Sequence, residues 1–259
     1  MLKTRIISAA LLAPVALAAV WWGGWAFAAL AAIAAAIMCW EWQRMVTGGF
    51  GPAGKVAAAS GAVACLLTID FPGVAALLVM AGATAAALLA EADRRVWSGA
   101  GALYAGLPSV ALVWLRGDFA VGRAVLFWLL LAVWATDIGA YACGRLIGGP
   151  LLAPRVSPKK TWAGLLGGMA SAGAVGFAAG QALDLAAPAW LAAGSALLAV
   201  IAQAGDLLES WVKRRWGFKD ASNVIPGHGG VLDRVDGLLA AAAAVALATL
   251  ATGTSVLNW

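Results

Sequence analysis

The chain predicts an all-α, polytopic integral membrane protein with about nine transmembrane helices, and three observations carry that prediction. Of its 259 residues 63% are hydrophobic and only 11% charged, with a mean hydropathy of +0.91, whereas soluble domains carry roughly 25% charged residues. Apolar stretches near the length that crosses ~30 Å of hydrocarbon fall at about 6–21, 24–42, 56–71, 73–91, 99–115, 123–146, 162–183, 188–208 and 234–252. With nine crossings and the N-terminus inside, fifteen of the seventeen Lys and Arg residues fall on the inner side, leaving only Arg116 and Arg123 outside. Basic residues favour the cytoplasmic side, and one missed or invented helix would flip every later loop.

Each break between spans has turn chemistry. Trp22-Gly-Gly ends the first run and Thr47-Gly-Gly-Phe-Gly-Pro the second. Phe71-Pro-Gly separates the short third and fourth runs. Arg94-Arg95, Arg116-Gly-Asp118, Gly148-Gly-Pro and Asp184 to Pro188 punctuate the rest. The N-terminal run continues apolar through Trp40 without a small-residue cleavage pattern, so it reads as a first span and not as a signal peptide. Nothing marks a soluble domain or a repeat. The expected organisation is one membrane-embedded domain over 1–259, with N-terminal helices to about 120 and a catalytic part over about 121–252. Cys39, Cys65 and Cys143 sit in apolar runs without pairing or zinc-ligand spacing. Tryptophans near span ends, among them Trp21, Trp22, Trp25, Trp97 and Trp259, read as an interfacial belt.

The scarce polar residues then become informative. Asp137 lies late in the sixth span, in W-A-T-D-I-G-A-Y-A-C-G-R, where a carboxylate costs about 2.5–3.5 kcal/mol and is a functional candidate. Tyr141, Gly144 and Arg145 share its helix face, and an interhelical hydrogen bond or an ion pair with Arg145 stays open beside a catalytic role. The loop Arg155-Val-Ser-Pro-Lys-Lys-Thr brings Lys159 and Lys160 to the start of the seventh helix, with Ser157 or Thr161 as its cap. Such a helix start favours an anion; ordinary inside-loop charge is the plainer alternative.

Asp206 and Glu209 end the eighth span three residues apart, and Asp233 and Asp236 repeat that spacing at the start of the ninth. Two such pairs flanking one loop can converge on a hard cation, because Mg²⁺ takes a few carboxylate oxygens plus water and substrate phosphates. Between them lie Lys213, Arg214, Arg215 and Lys219, suited to a polyphosphate, and Pro226-Gly-His-Gly-Gly, whose backbone can approach a ligand closely. His228, the only histidine, is open to general-base, substrate-contact and loop-structural roles.

The stretch Ser210 to Asp236 resembles the signature of the phosphatidate cytidylyltransferases, or CDP-diacylglycerol synthases. That pattern is Ser-x-apolar-Lys-Arg, four residues, Lys-Asp, then Pro-x-His-Gly-Gly-apolar-x-Asp-Arg-apolar-Asp. Here it is met by Ser210, Lys213, Arg214, Lys219, Asp220, Pro226, His228, Gly229, Gly230, Asp233, Arg234 and Asp236. The upstream D-I-G-A-Y-A-C-G-R and S-P-K-K-T segments are similar to the family too, although Ala163 stands where it commonly has Glu.

The resemblance implies a Mg²⁺-dependent reaction of CTP with phosphatidic acid, giving CDP-diacylglycerol and pyrophosphate for phospholipid synthesis. It matches Asp206 and Asp233 to metal-coordinating aspartates, with Asp236 beside them, and admits K⁺ next to the Mg²⁺. Asp137, Lys159, Lys160, Lys213, Lys219, His228 and Asp236 are the expected catalytic residues. Ser210, Arg214, Lys219, Gly229, Gly230 and Arg234 are expected to hold the nucleotide. The expected setting is a bacterial inner membrane, with the N-terminus and active-site loops cytoplasmic and no nucleic-acid partner; a homodimer stays open. A transporter is the main rival class, disfavoured because no inverted repeat is evident and the polar residues gather in loops. A cytidylyltransferase acting on another lipid is the nearer alternative.

Overall fold

The computed structural model describes residues 2–258, with side chains from residue 10 onward. Among the described residues nine α-helices follow one another: α1 Leu2–Trp22, α2 Gly24–Thr47, α3 Pro52–Leu67, α4 Pro72–Leu89, α5 Arg95–Gly117, α6 Gly122–Leu146, α7 Trp162–Ala182, α8 Pro188–Arg215 and α9 Leu232–Thr252. Seven of them, α2 and α4 to α9, are long and apolar enough to cross a membrane. At 16 residues α3 is short beside the ~20 that a span needs. The chain is thus an all-α integral membrane protein.

Two elements differ from their expected form. Helix α8 runs to Arg215 instead of stopping near residue 208, because charge ends a membrane span without ending a helix; the first breaker is Gly217, at φ 76°. Glu209, Ser210, Lys213 and Arg214 are therefore helical, not part of a loop. The segment before α7 is a small antiparallel hairpin, β1 Leu151–Ala153 and β2 Ser157–Thr161, with Leu151 opposite Thr161 and Ala153 opposite Ser157. Ser157 thereby belongs to a strand, and Thr161 is the cap: its hydroxyl accepts from Gly164 N–H at 3.0 Å.

The chain forms two compact units. One runs to Arg123 and takes in Arg215–Val235; the other comprises Ala124–Arg214 and the chain from Asp236 onward. In the first, α2 packs on α3 and α5, and α4 on α3 and α5. Small residues let the helices close: a Cβ on Gly101 would overlap the Trp42 indole, and one on Gly106 would lie 2.7 Å from Val79 Cγ1. Polar groups between these helices satisfy one another. Trp42 Nε1 donates to Trp97 O at 2.8 Å, Gln43 Nε2 to Ser98 O at 3.0 Å, and Ser98 Oγ to Gln43 Oε1 at 3.0 Å. Arg116 Nε donates to Val20 O at 2.6 Å and its Nη2 to Trp21 O at 3.0 Å, meeting carbonyls that the end of α1 leaves unpaired.

Trp21, Trp22 and Trp25 are exposed, as an interfacial belt requires. Trp97 instead packs edge-on against Trp216 at 5.9 Å, with the Arg215 guanidinium over its ring. Trp259 and the side chains of Lys3 and Arg5 lie outside the described residues.

In the second unit α6 and α7 meet through Gly139, Gly144, Gly164, Gly167 and Gly168: a Cβ on Gly168 would lie 3.0 Å from Thr136 O, and one on Gly164 2.9 Å from Ala140 O. Helices α8 and α9 meet in the same way, since a Cβ on Gly205 would lie 2.9 Å from Asp236 O and one on Gly237 3.3 Å from Ala202 O. Small residues of this kind let helix backbones approach where lipid supplies no hydrophobic drive between them.

The close fit at Gly101 makes Gly101→Val destabilising, with overpacking expected to cost about 1–3 kcal/mol. Thermal unfolding in detergent should show a clear loss for it. Gly73→Ala, at a helix position with open space around it, should be silent.

Candidate active site

In the second unit the hairpin and three helices line a half-open pocket of about 280 Å³, near the lower end of ligand pockets at ~300 Å³. Asp137 and Tyr141 of α6, Ser157, Lys159, Lys160 and Thr161 of β2, Gly164 of α7, and Gln203 and Asp206 of α8 line it. Local structure explains each placement. The Thr161 cap fixes the start of α7 against the hairpin, the glycine contacts draw the Asp137 face of α6 toward Gly164, and Asp206 follows Gly205, where the α9 backbone lies against α8.

Lys160 Nζ lies 2.6 Å from Asp206 Oδ2 and has no hydrogen-bond partner beyond that ion pair among the described residues. Ser210 Oγ donates to the other oxygen, Asp206 Oδ1, at 3.3 Å. Asp236, one helix over, takes Gly237 N–H on Oδ1 at 2.7 Å, and Asp206, Asp137 and Lys213 are the charged side chains whose fields reach it. Arg145 donates to Tyr141 Oη at 3.3 Å. Lys213 is buried and pairs with Glu209 one turn back on α8, so it stands on a packed helix instead of in a mobile loop. Arg214 is exposed near the end of α8.

The rest of the signature belongs to the first unit. Ile225 N–H bonds to Gly229 O at 2.8 Å, and His228 N–H to Ile225 O at 2.9 Å, making a tight turn in which Gly229 adopts φ 89°, open to glycine. His228 Nδ1 has no hydrogen-bond partner among the described residues. Asp233 Oδ2 accepts from Gly230 N at 2.7 Å and from Ala221 N at 2.9 Å, which ties both ends of the loop to the first turn of α9. Lys219 and Arg234 are exposed.

A hard divalent cation fits the second unit by donor chemistry: Asp206 and Asp236 offer carboxylate oxygens, and the Lys160 ammonium already rests on one of them. No three His, Cys, Asp or Glu side chains form a ready-made cage among the described residues. A cation there would complete its shell with water and phosphate oxygens, as Mg²⁺ prefers.

Two polar residues escaped the sequence reading. Gln203 is buried in an apolar span and lines the cavity. Glu41, in W-E-W on α2, is fully buried and accepts hydrogen bonds from Ser222, Val231 and Leu232. The rule that singled out Asp137, a carboxylate inside an apolar run, marks Glu41 equally well.

Fold and site together define a polytopic membrane protein with lysines and carboxylates gathered in a polar pocket. The sequence profile of the cytidylyltransferase family matches residues 3–251. The phosphatidate cytidylyltransferase of Brucella suis is 41% identical over 253 residues, covering 93% of this chain and 91% of its own length. That of Pseudomonas aeruginosa is 37% identical over 256 residues, covering 93% and 94%, and that of Helicobacter pylori 41% over 138 residues, covering 53% and 50%. The chain belongs to the cytidylyltransferase family.

Replacing Thr161 by Val removes the helix cap at constant volume and should cost about 1 kcal/mol. Thr161→Ser should recover most of it. Thermal unfolding of the two variants side by side checks this.

Proposed function

We propose that the protein transfers the cytidylyl group of CTP to phosphatidic acid, giving CDP-diacylglycerol and pyrophosphate for phospholipid synthesis. The observation that carries the reading is the Lys160–Asp206 ion pair lining a polar cavity in an apolar helical body, in a chain whose relatives are named phosphatidate cytidylyltransferase. A phosphate oxygen of phosphatidate attacks the α-phosphorus of CTP; the new P–O bond forms as the bond to the β-phosphate oxygen breaks, and pyrophosphate leaves with that electron pair. The nucleophile is already an anion, so a strong base is dispensable, and positioning with charge neutralisation provides the catalysis.

In this reading Lys159 and Lys160 receive phosphate oxygens, and Asp206 and Asp236 hold Mg²⁺. Bound there, the cation would neutralise the triphosphate and the leaving group. Ser210 orients Asp206, and Arg214, Lys219 and Arg234 supply further positive charge for the nucleotide. A metal role for Asp233, and K⁺ as an accompanying ion, rest on the family resemblance and belong to the same proposal.

Purified protein incubated with CTP, Mg²⁺ and a panel of lipid phosphates should release pyrophosphate and a CDP-lipid, most rapidly with phosphatidate. Preference for another lipid phosphate would favour the nearer alternative. Asp206→Asn should lower kcat by ~10²–10³, the size of effect expected when one preorganised electrostatic group is lost, while the protein still inserts. Near-normal turnover at saturating Mg²⁺ would remove Asp206 from the site.

We further infer an inner-membrane location with the N-terminus and these loops cytoplasmic, supported by the asymmetry of Lys and Arg. Single cysteines at Arg155 and Asn223, in a cysteine-free background, should be labelled from the cytoplasmic side, and one at Phe119 from the opposite side. All three positions are exposed. Labelling of Arg155 and Asn223 from different sides would defeat the assignment.

A further inference from the structure

Helix α9 begins without a cap of its own. The residue before it is Val231, which has no side-chain acceptor for the unpaired N–H groups of a first turn. Glu41 supplies the acceptor from α2. Its Oε1 takes Val231 N–H at 2.8 Å and Ser222 Oγ–H at 2.6 Å, and its Oε2 takes Leu232 N–H at 2.8 Å. The carboxylate is 0% exposed, and among the described residues no Lys or Arg pairs with it. The positive end of the helix dipole and three donors from a single stretch are what meet its charge.

Gly230 passes so close that any Cβ would run into the Glu41 carboxylate. Asp233 grips the same stretch through Gly230 N–H and Ala221 N–H. Residues 221–232 are thus strung between two carboxylates, and the one that lies outside the signature is Glu41.

We propose that Glu41 is a positioning residue of the active site: by capping α9 from α2 it sets where the signature loop and Asp233 are presented, without touching substrate. The inference rests on the functional reading above. A residue that merely stabilised the helical body would act on α2 to α5 alike, whereas these contacts reach only 221–232.

The test joins hydrogen exchange to kinetics in the full-length protein in detergent. Glu41→Gln keeps the shape but turns an amide donor toward backbone N–H groups. Amides of 221–232 should exchange at least tenfold faster while those of α3 to α5 stay unchanged, and kcat for CDP-lipid formation should fall at least tenfold. Ser222→Ala removes one donor and leaves the carboxylate in place; it should give a few-fold effect confined to the same segment and add little on top of Glu41→Gln, as expected for groups sharing one contact. Unchanged exchange and kcat, or faster exchange spread evenly over α2 to α5, would overturn the proposal. If Glu41→Gln fails to accumulate in the membrane, Ser222→Ala decides alone, and wild-type exchange in 221–232 would overturn it. Failure of the wild-type protein to make any lipid product from CTP would instead refute the functional reading, with the exchange result still judging Glu41.

Discussion

A charge withdrawn from water must be met by a donor or a counter-charge, and that constraint sets where the polar side chains of this protein can stand. Glu41 receives three hydrogen-bond donors, Asp206 a lysine and a serine, Glu209 a lysine, and Asp233 two backbone amides. Because few such matches exist in an apolar body, each fixes its residue closely. The proposed phosphate site gains from this, since phosphoryl and nucleotidyl transfer depend on positioned charge.

The matches depend in turn on backbones coming close. Gly205 and Gly237 let α8 and α9 touch beside Asp206 and Asp236, and the glycines of α6 and α7 bring the Asp137 face to the capped start of α7. A methyl group at Gly205 or Gly168 would press on the backbone of the facing helix. At these contacts glycine serves the site through the helix seam, whereas Gly229 serves it through a turn.

Much of this was legible in the sequence, and the reasons are specific. Apolar runs and their breakers located every helix, because hydrocarbon thickness and backbone satisfaction leave little else for such a chain to do. Asp137, Lys159, Lys160 and Asp206 could be picked out because charge is rare here, and the structure lines one cavity with all four. The end of α8 was misplaced because hydropathy registers the loss of apolar character at Glu209 but not the helical continuity up to Gly217. The hairpin of 151–161 was hidden by Pro158 and the two lysines, which read as loop chemistry. Glu41 stood in plain view as a carboxylate in an apolar run, but its role did not: its donors lie 181 to 191 residues away, and only the folded chain shows what a buried carboxylate faces.

In the proposed reaction the α-phosphorus of CTP is the atom that changes hands. CTP labelled at either the α- or the γ-phosphate, given to the purified protein with Mg²⁺ and phosphatidate, tests it directly. Label from the α-position should pass into the lipid fraction while γ-label leaves in water-soluble pyrophosphate. Label from the γ-position in the lipid, or none from either, would contradict it.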